Sequence, residues 1–91
     1  MNFVYDENKS KSNKLKHNID FIEAQELWED EELFDLKSNN DDKEDRYLVI
    51  GRVNSKYYTA IVTYRDKSIR IISVRRSRKK EIETYDSFRT R

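Results

Sequence analysis

Ile69-Arg70-Ile71-Ile72-Ser73-Val74-Arg75-Arg76 is the stretch on which the reading of this chain turns. Five of its eight residues are β-branched or small and suit a pleated, packed surface. The other three are arginines, which bury no apolar area, and they lead into Arg78, Lys79 and Lys80. A strand ending in guanidinium groups is a candidate anion site, because arginine presents a fixed fork of donors that matches phosphate. On strict alternation Ile71, Ser73 and Arg75 share one face, and Arg70, Ile72, Val74 and Arg76 the other. Only one of Arg75 and Arg76 then faces a given groove, and Arg75 is the favoured phosphate ligand. The competing reading makes these charges solvated strand ends, or partners of the chain's own acidic segment.

Working outward, Arg46–Val53 and Tyr57–Tyr64 are two more strand patterns. Asn54-Ser55-Lys56 and Arg65-Asp66-Lys67-Ser68 lie between the three, short enough for hairpins. With no proline and only Gly51, the turns must be built from Asn, Asp and Ser. The result is a three-stranded antiparallel meander. Downstream, Ser77 is the expected N-cap of a closing helix in which Ile82, Tyr85 and Phe88 recur every third residue.

Upstream, Ser38–Asp45 is wholly polar and reads as a loop, and Leu33-Phe34-Asp35-Leu36 as a short strand. Asp20-Phe21-Ile22-Glu23 resembles a capping box, and Phe21, Ala24, Leu27 and Trp28 share one face of a helix over 20–30. Asp6 is placed to cap a first helix, Glu7–His17, whose only sizeable aliphatic is Leu15. That helix must lean on tertiary contacts. Asn18 is its expected stop, since Asn tolerates the left-handed conformation. Phe3-Val4-Tyr5 is a short strand candidate. The expected class is α+β: a small antiparallel sheet, made of the meander plus short N-terminal strands, with two N-terminal helices and one C-terminal helix packed on one face.

Ninety-one residues suffice for a single domain, 1–91, with a modest core. An apolar fraction of 35% against 41% charged would suit disorder, but 12% aromatic residues gathered in periodic runs argue for folding. The absence of cysteine excludes disulfides and thiolate chemistry, and the single histidine, His17, excludes a histidine metal cluster. No metal or other cofactor is expected. No apolar run reaches the length of a membrane span and no signal core opens the chain, so a cytoplasmic protein without a membrane partner is expected. The net charge of +1 conceals an asymmetry: residues 1–19 carry net +2, residues 20–45 net −10 and residues 46–91 net +9. Such a division points to an anionic partner for the basic half, or to two halves that complement one another.

The opening Phe3-x-Tyr5-Asp6-x-x-Lys9-x-x-x-Asn13-x-x-Lys16-His17-x-Ile19-x-Phe21-x-x-Ala24 resembles the start of BrnT-type toxins. Arg46-Tyr47, Ile50-Gly51, Tyr64-Arg65, Arg70-Ile71-Ile72-Ser73-x-Arg75-Arg76, Glu81 and Tyr85 continue that pattern in order and spacing. Two departures are Asn18, where the family usually has Gly, and Lys43-Glu44-Asp45 in place of a Gly-Glu pair. The resemblance implies a RelE-like fold and the toxin of a type II toxin–antitoxin system, a ribonuclease that halts translation. It also implies an antitoxin of the BrnA kind with a ribbon-helix-helix part, through which the complex reaches operator DNA.

Metal-independent RNA cleavage needs the ribose 2′-OH as nucleophile, a proton acceptor, and charge stabilisation at phosphorus, which commonly contributes most to the rate. The candidate catalytic residues are Arg65, Arg75, Arg76 and Glu81; the candidate RNA contacts are Lys16, His17, Arg46, Arg70 and Tyr85. Arg65 sits at a hairpin, so antiparallel geometry puts Arg75 near Tyr57 instead. Glu81 either takes a proton or holds an arginine in place. Tyr85 either stacks on a base or fills the core. His17, of a residue type that changes charge near neutrality, either moves protons or caps a helix C-terminus, and Lys16 beside it steers phosphate. Two other functions fit the same residues: a non-catalytic nucleic-acid binder, and an interaction subunit whose basic surface receives an acidic partner.

Overall fold

A computed structural model describes residues 2–38 and 44–89. Its elements run β1 (Asn2–Val4), α1 (Glu7–His17), a 3₁₀ helix (Glu23–Glu29), β2 (Phe34–Ser38), β3 (Arg46–Val53), β4 (Lys56–Arg65), β5 (Ser68–Arg76) and α2 (Lys79–Arg89). The strands form one sheet in the order β1-β5-β4-β3-β2. The expected meander is its centre, β3-β4-β5, extended by antiparallel β2 on one side. On the other side β1 joins β5 in parallel, so the sheet is mixed rather than antiparallel throughout. Residues 39–43 of the expected polar loop lie outside the described residues.

Local chemistry explains most element ends. The Asp6 carboxylate accepts from the N–H groups of Asn8 and Lys9 at 2.8 and 3.1 Å and opens α1. Asn18 closes it at φ 63°, the left-handed conformation its side chain tolerates. Asn54 and Ser55 both have positive φ, as a two-residue hairpin turn between β3 and β4 requires. The capping box also forms: Asp20 accepts from the N–H groups of Ile22 and Glu23, and Glu23 accepts from that of Asp20. The helix it opens is 3₁₀ rather than α, and shorter than 20–30. Phe21, Ala24 and Leu27 are spaced by three, and three residues per turn stack all of them on the sheet.

That core joins Phe21, Ala24 and Leu27 to Val49, Val53, Tyr58, Ala60, Val62, Ile69, Ile71 and Val74, all from one face of the sheet. The helices do not share this face, contrary to expectation. Tyr85 and Phe88 of α2 pack on Tyr57 and Phe34, and Glu81 meets Thr59 and Arg75. By strand alternation these residues belong to the opposite face. Asp30 ties the two sides together, accepting from the Arg52 backbone N–H at 2.9 Å and from the Tyr85 hydroxyl at 2.7 Å.

Helix α1 docks by polar groups. Leu15 is 88% exposed, while Ser10 and Asn13 are its buried residues. Ser10 accepts from the Phe21 N–H. The Asn13 amide donates to the carbonyls of Ile19 and Val74 at 2.8 and 2.9 Å and accepts from the Val74 N–H at 3.3 Å. β1 pairs with β5 only as far as Arg70, so the Asn13 side chain satisfies the edge of β5 beyond that point as a strand would.

Candidate functional site

The strand that ends in arginines is irregular. Ile61 pairs with Ser73 but Val62 with Ile71, so Ile72 is an extra residue, a β-bulge. The bulge resets the alternation: Ile69, Ile71, Val74 and Arg76 fall on the core face, and Arg70, Ser73 and Arg75 on the α2 face. The strict alternation expected from sequence fails beyond Ile72, and with it the separation of Arg70 from Arg75.

At the α2 end of this face, Arg75 and Glu81 form a forked pair, with both guanidinium nitrogens 2.8 Å from carboxylate oxygens. Their side chains are only 22% and 15% exposed. The same Glu81 oxygen accepts from the Thr59 hydroxyl at 2.9 Å and from the Arg78 N–H at 2.8 Å. The Arg78 carbonyl accepts the first helical bond, from Ile82, so Arg78 occupies the N-cap and Glu81 reaches back to it. Ser77, the expected cap, instead bonds Thr59 at 2.8 Å between hydroxyls.

These donors fix what Glu81 can do. The Arg75 fork, followed by the Arg78 N–H and the Thr59 hydroxyl, pulls its carboxyl from the usual 4.5 to about 2 against the opposing effect of burial. A group so acidic is a poor proton acceptor at neutral pH, and positioning Arg75 is the role its geometry matches. The Glu81 bond in turn raises the Arg75 pKa. Because the folded-state pKa is lowered, the stability Glu81 contributes is complete above about 4.5 and is lost as pH falls toward about 2. The expected gap between wild type and Glu81→Gln in urea denaturation is about 2 kcal/mol at pH 7, closing across that window. A gap independent of pH would contradict this assignment.

Arg46, Arg65 and Arg70 stand at the other end of the face. Arg65 and Ser68 pair at the close of β4, so Arg65 is remote from Arg75 along the sheet, as antiparallel geometry requires. The Arg65 guanidinium forks onto Glu44 at 3.0 and 3.2 Å. Between the two ends lie Leu36, Leu48, Ile61 and Ser73, paired in sequence across four strands. Leu36 is exposed and the other three half-buried. At the edge beside Ser73, Lys16 and His17 of α1 line a hollow of ≈ 240 Å³ with Lys9, Ser12, Asn13 and Ile72.

Two of the expected residues lie elsewhere. Arg76 is on the core face with its guanidinium 5.7 Å from the centre of the Tyr58 ring. Tyr85 is 2% exposed, its ring edge-on to Tyr57 and its hydroxyl on Asp30, so it offers no face to a base. Thr59 and Glu44 are the neighbours that reading the sequence missed. Thr59 sits in an apolar strand pattern with no local sign that its hydroxyl serves Glu81, 22 residues away in α2.

Residues 5–81 match a family model described as the ribonuclease toxin BrnT of type II toxin–antitoxin systems. No curated protein matches the chain.

Proposed function

From the premise that this chain belongs to the BrnT family of type II toxin–antitoxin ribonuclease toxins, we propose that it cleaves RNA on the α2 face of its sheet. The observation that carries this reading is the Arg75–Glu81 pair, a half-buried guanidinium oriented by a carboxylate on a face that also presents Arg46, Arg65 and Arg70. In the cleavage step the ribose 2′-oxygen bonds to the adjacent phosphorus and the bond to the 5′-oxygen breaks. The products are a 2′,3′-cyclic phosphate and a free 5′-hydroxyl. Negative charge grows on the phosphoryl oxygens in between, and a fixed guanidinium stabilises it with little reorganisation. Glu81 holds the Arg75 fork. In this scheme Lys16 and His17, which line the hollow beside Ser73, steer the strand and exchange protons with it.

No metal takes part in this scheme. In this scheme RNA cleavage halts translation, and an antitoxin neutralises the toxin by covering the arginine-bearing face. The antitoxin is of the BrnA kind, its ribbon-helix-helix part holding operator DNA. Purified protein is expected to cleave RNA in the presence of EDTA and to leave cyclic-phosphate ends. RNA that stays intact under these conditions, with added divalent ions restoring cleavage, would overturn the metal-independent step. Intact RNA throughout, bound with steep salt dependence, would favour a binder without catalysis.

A further inference from the structure

Glu44 occupies the position of a ligand. Its carboxylate lies against the Arg65 fork, and the charges of Arg70 and Arg46 add to that hydrogen bond in holding its carboxyl below the usual range. The three arginines come from three adjacent strands, β3, β4 and β5, on one face. Thr63 rises between Arg46 and Arg70, paired directly with Arg70. It is 2% exposed, and its hydroxyl has no hydrogen-bond partner among the described residues. A buried hydroxyl left unmatched beside three guanidiniums is unusual, because burial without a partner is costly. Among the described residues, one carboxylate stands against these three guanidiniums.

We propose that Arg46, Arg65, Arg70 and the Thr63 hydroxyl form a second phosphate subsite for the RNA strand, filled by the chain's own Glu44 when no RNA is bound. The inference rests on the proposed RNA-cleaving face and adds a distal contact to it. Thr63 and Thr59, which mark the two ends, are four residues apart on β4, about 14 Å at ~3.4 Å per residue. The phosphate at Arg75 and the phosphate at this subsite therefore belong to different nucleotides, with the Leu48–Ile61 floor between them. Glu44 is an easily displaced occupant. Both members of its pair are more than 40% exposed, and exposed pairs of this kind hold weakly. The subsite thus selects for strand length and sets a threshold that RNA must exceed to bind.

The test is the affinity of a 2′-O-methyl oligonucleotide, which binds without being cleaved and so separates this claim from catalysis. Glu44→Gln, an exposed change, is expected to tighten binding of a ten-nucleotide strand about two- to fivefold and that of a mononucleotide not at all. Arg70→Gln is expected to weaken the longer strand, to lower its log–log salt slope by about 0.7, and to abolish the effect of Glu44→Gln. Unchanged or weaker binding by Glu44→Gln would overturn the proposal. So would equal tightening toward poly-glutamate of matched charge, which would give the patch to an acidic protein.

Discussion

Arg75→Ala is expected to slow RNA cleavage by about 10²–10³-fold, the loss typical of removing one preorganised donor from a developing oxyanion. The change removes the only described member of the α2 end that carries positive charge toward the face and is held by a fork. It also leaves Glu81 ionised and half-buried without its counterion, which costs about 2 kcal/mol of stability. Folding and chemistry are therefore separated with Arg75→Lys. That variant keeps a cation near Glu81 but gives up the planar two-point contact, so cleavage should remain strongly impaired in a protein that stays folded. Arg76→Ala supplies the opposite control. Its guanidinium lies over Tyr58 on the core face, and cleavage should persist. Equal rates for the Arg75 variants and wild type in a gel-based cleavage assay would remove Arg75 from the mechanism.

Gly51→Val is expected to destabilise the protein by about 3–5 kcal/mol, against about 1 kcal/mol for Gly51→Ala, as read from urea denaturation midpoints. The backbone here is ordinary strand, and the constraint is space. A β-carbon at Gly51 would stand 2.8 Å from Leu33 Cδ1, 3.0 Å from Leu27 Cδ2 and 3.3 Å from Asp30 Oδ2. The leucine ends can yield a little to one carbon. They cannot yield to three, because Leu27 is fully buried under the 3₁₀ helix. Asp30 would be pushed as well, and it holds both the Arg52 N–H and the Tyr85 hydroxyl. Loss of the Tyr85 bond loosens α2, and with it the carboxylate that orients Arg75. A Gly51→Val protein as stable as wild type would show that this approach is not tight.

What the sequence revealed and what it concealed follow from the range of each interaction. Asp6, Asn18, the Asp20–Glu23 box and the Asn54–Ser55 turn act within a few residues, and each could be read from its neighbours. The meander was legible because alternation and short connectors act over similar spans. The parallel placement of β1 was not, since its partner β5 lies more than sixty residues away. The seat of α1 was hidden for a different reason. Amphipathic reasoning looks for apolar side chains, and this helix is anchored by Ser10 and Asn13 while Leu15 faces water. The Ile72 bulge carries no sign in composition, yet it decides which arginines share a face. Of the candidate site, a Glu81 that holds an arginine was one of two readings the sequence offered; that the arginine is Arg75, and that Glu44 lies on Arg65, came from the structure.

The amide of Asn13, lying along β5 where β1 stops, also bears on how copies of this protein meet. Endless stacking of sheets needs two complementary borders per molecule, one to give and one to receive. Here one border ends in a three-residue strand and a side chain that already consumes the hydrogen bonds of Val74. Association through the remaining border, at β2, would stop at a closed twofold pair instead of propagating as a fibre.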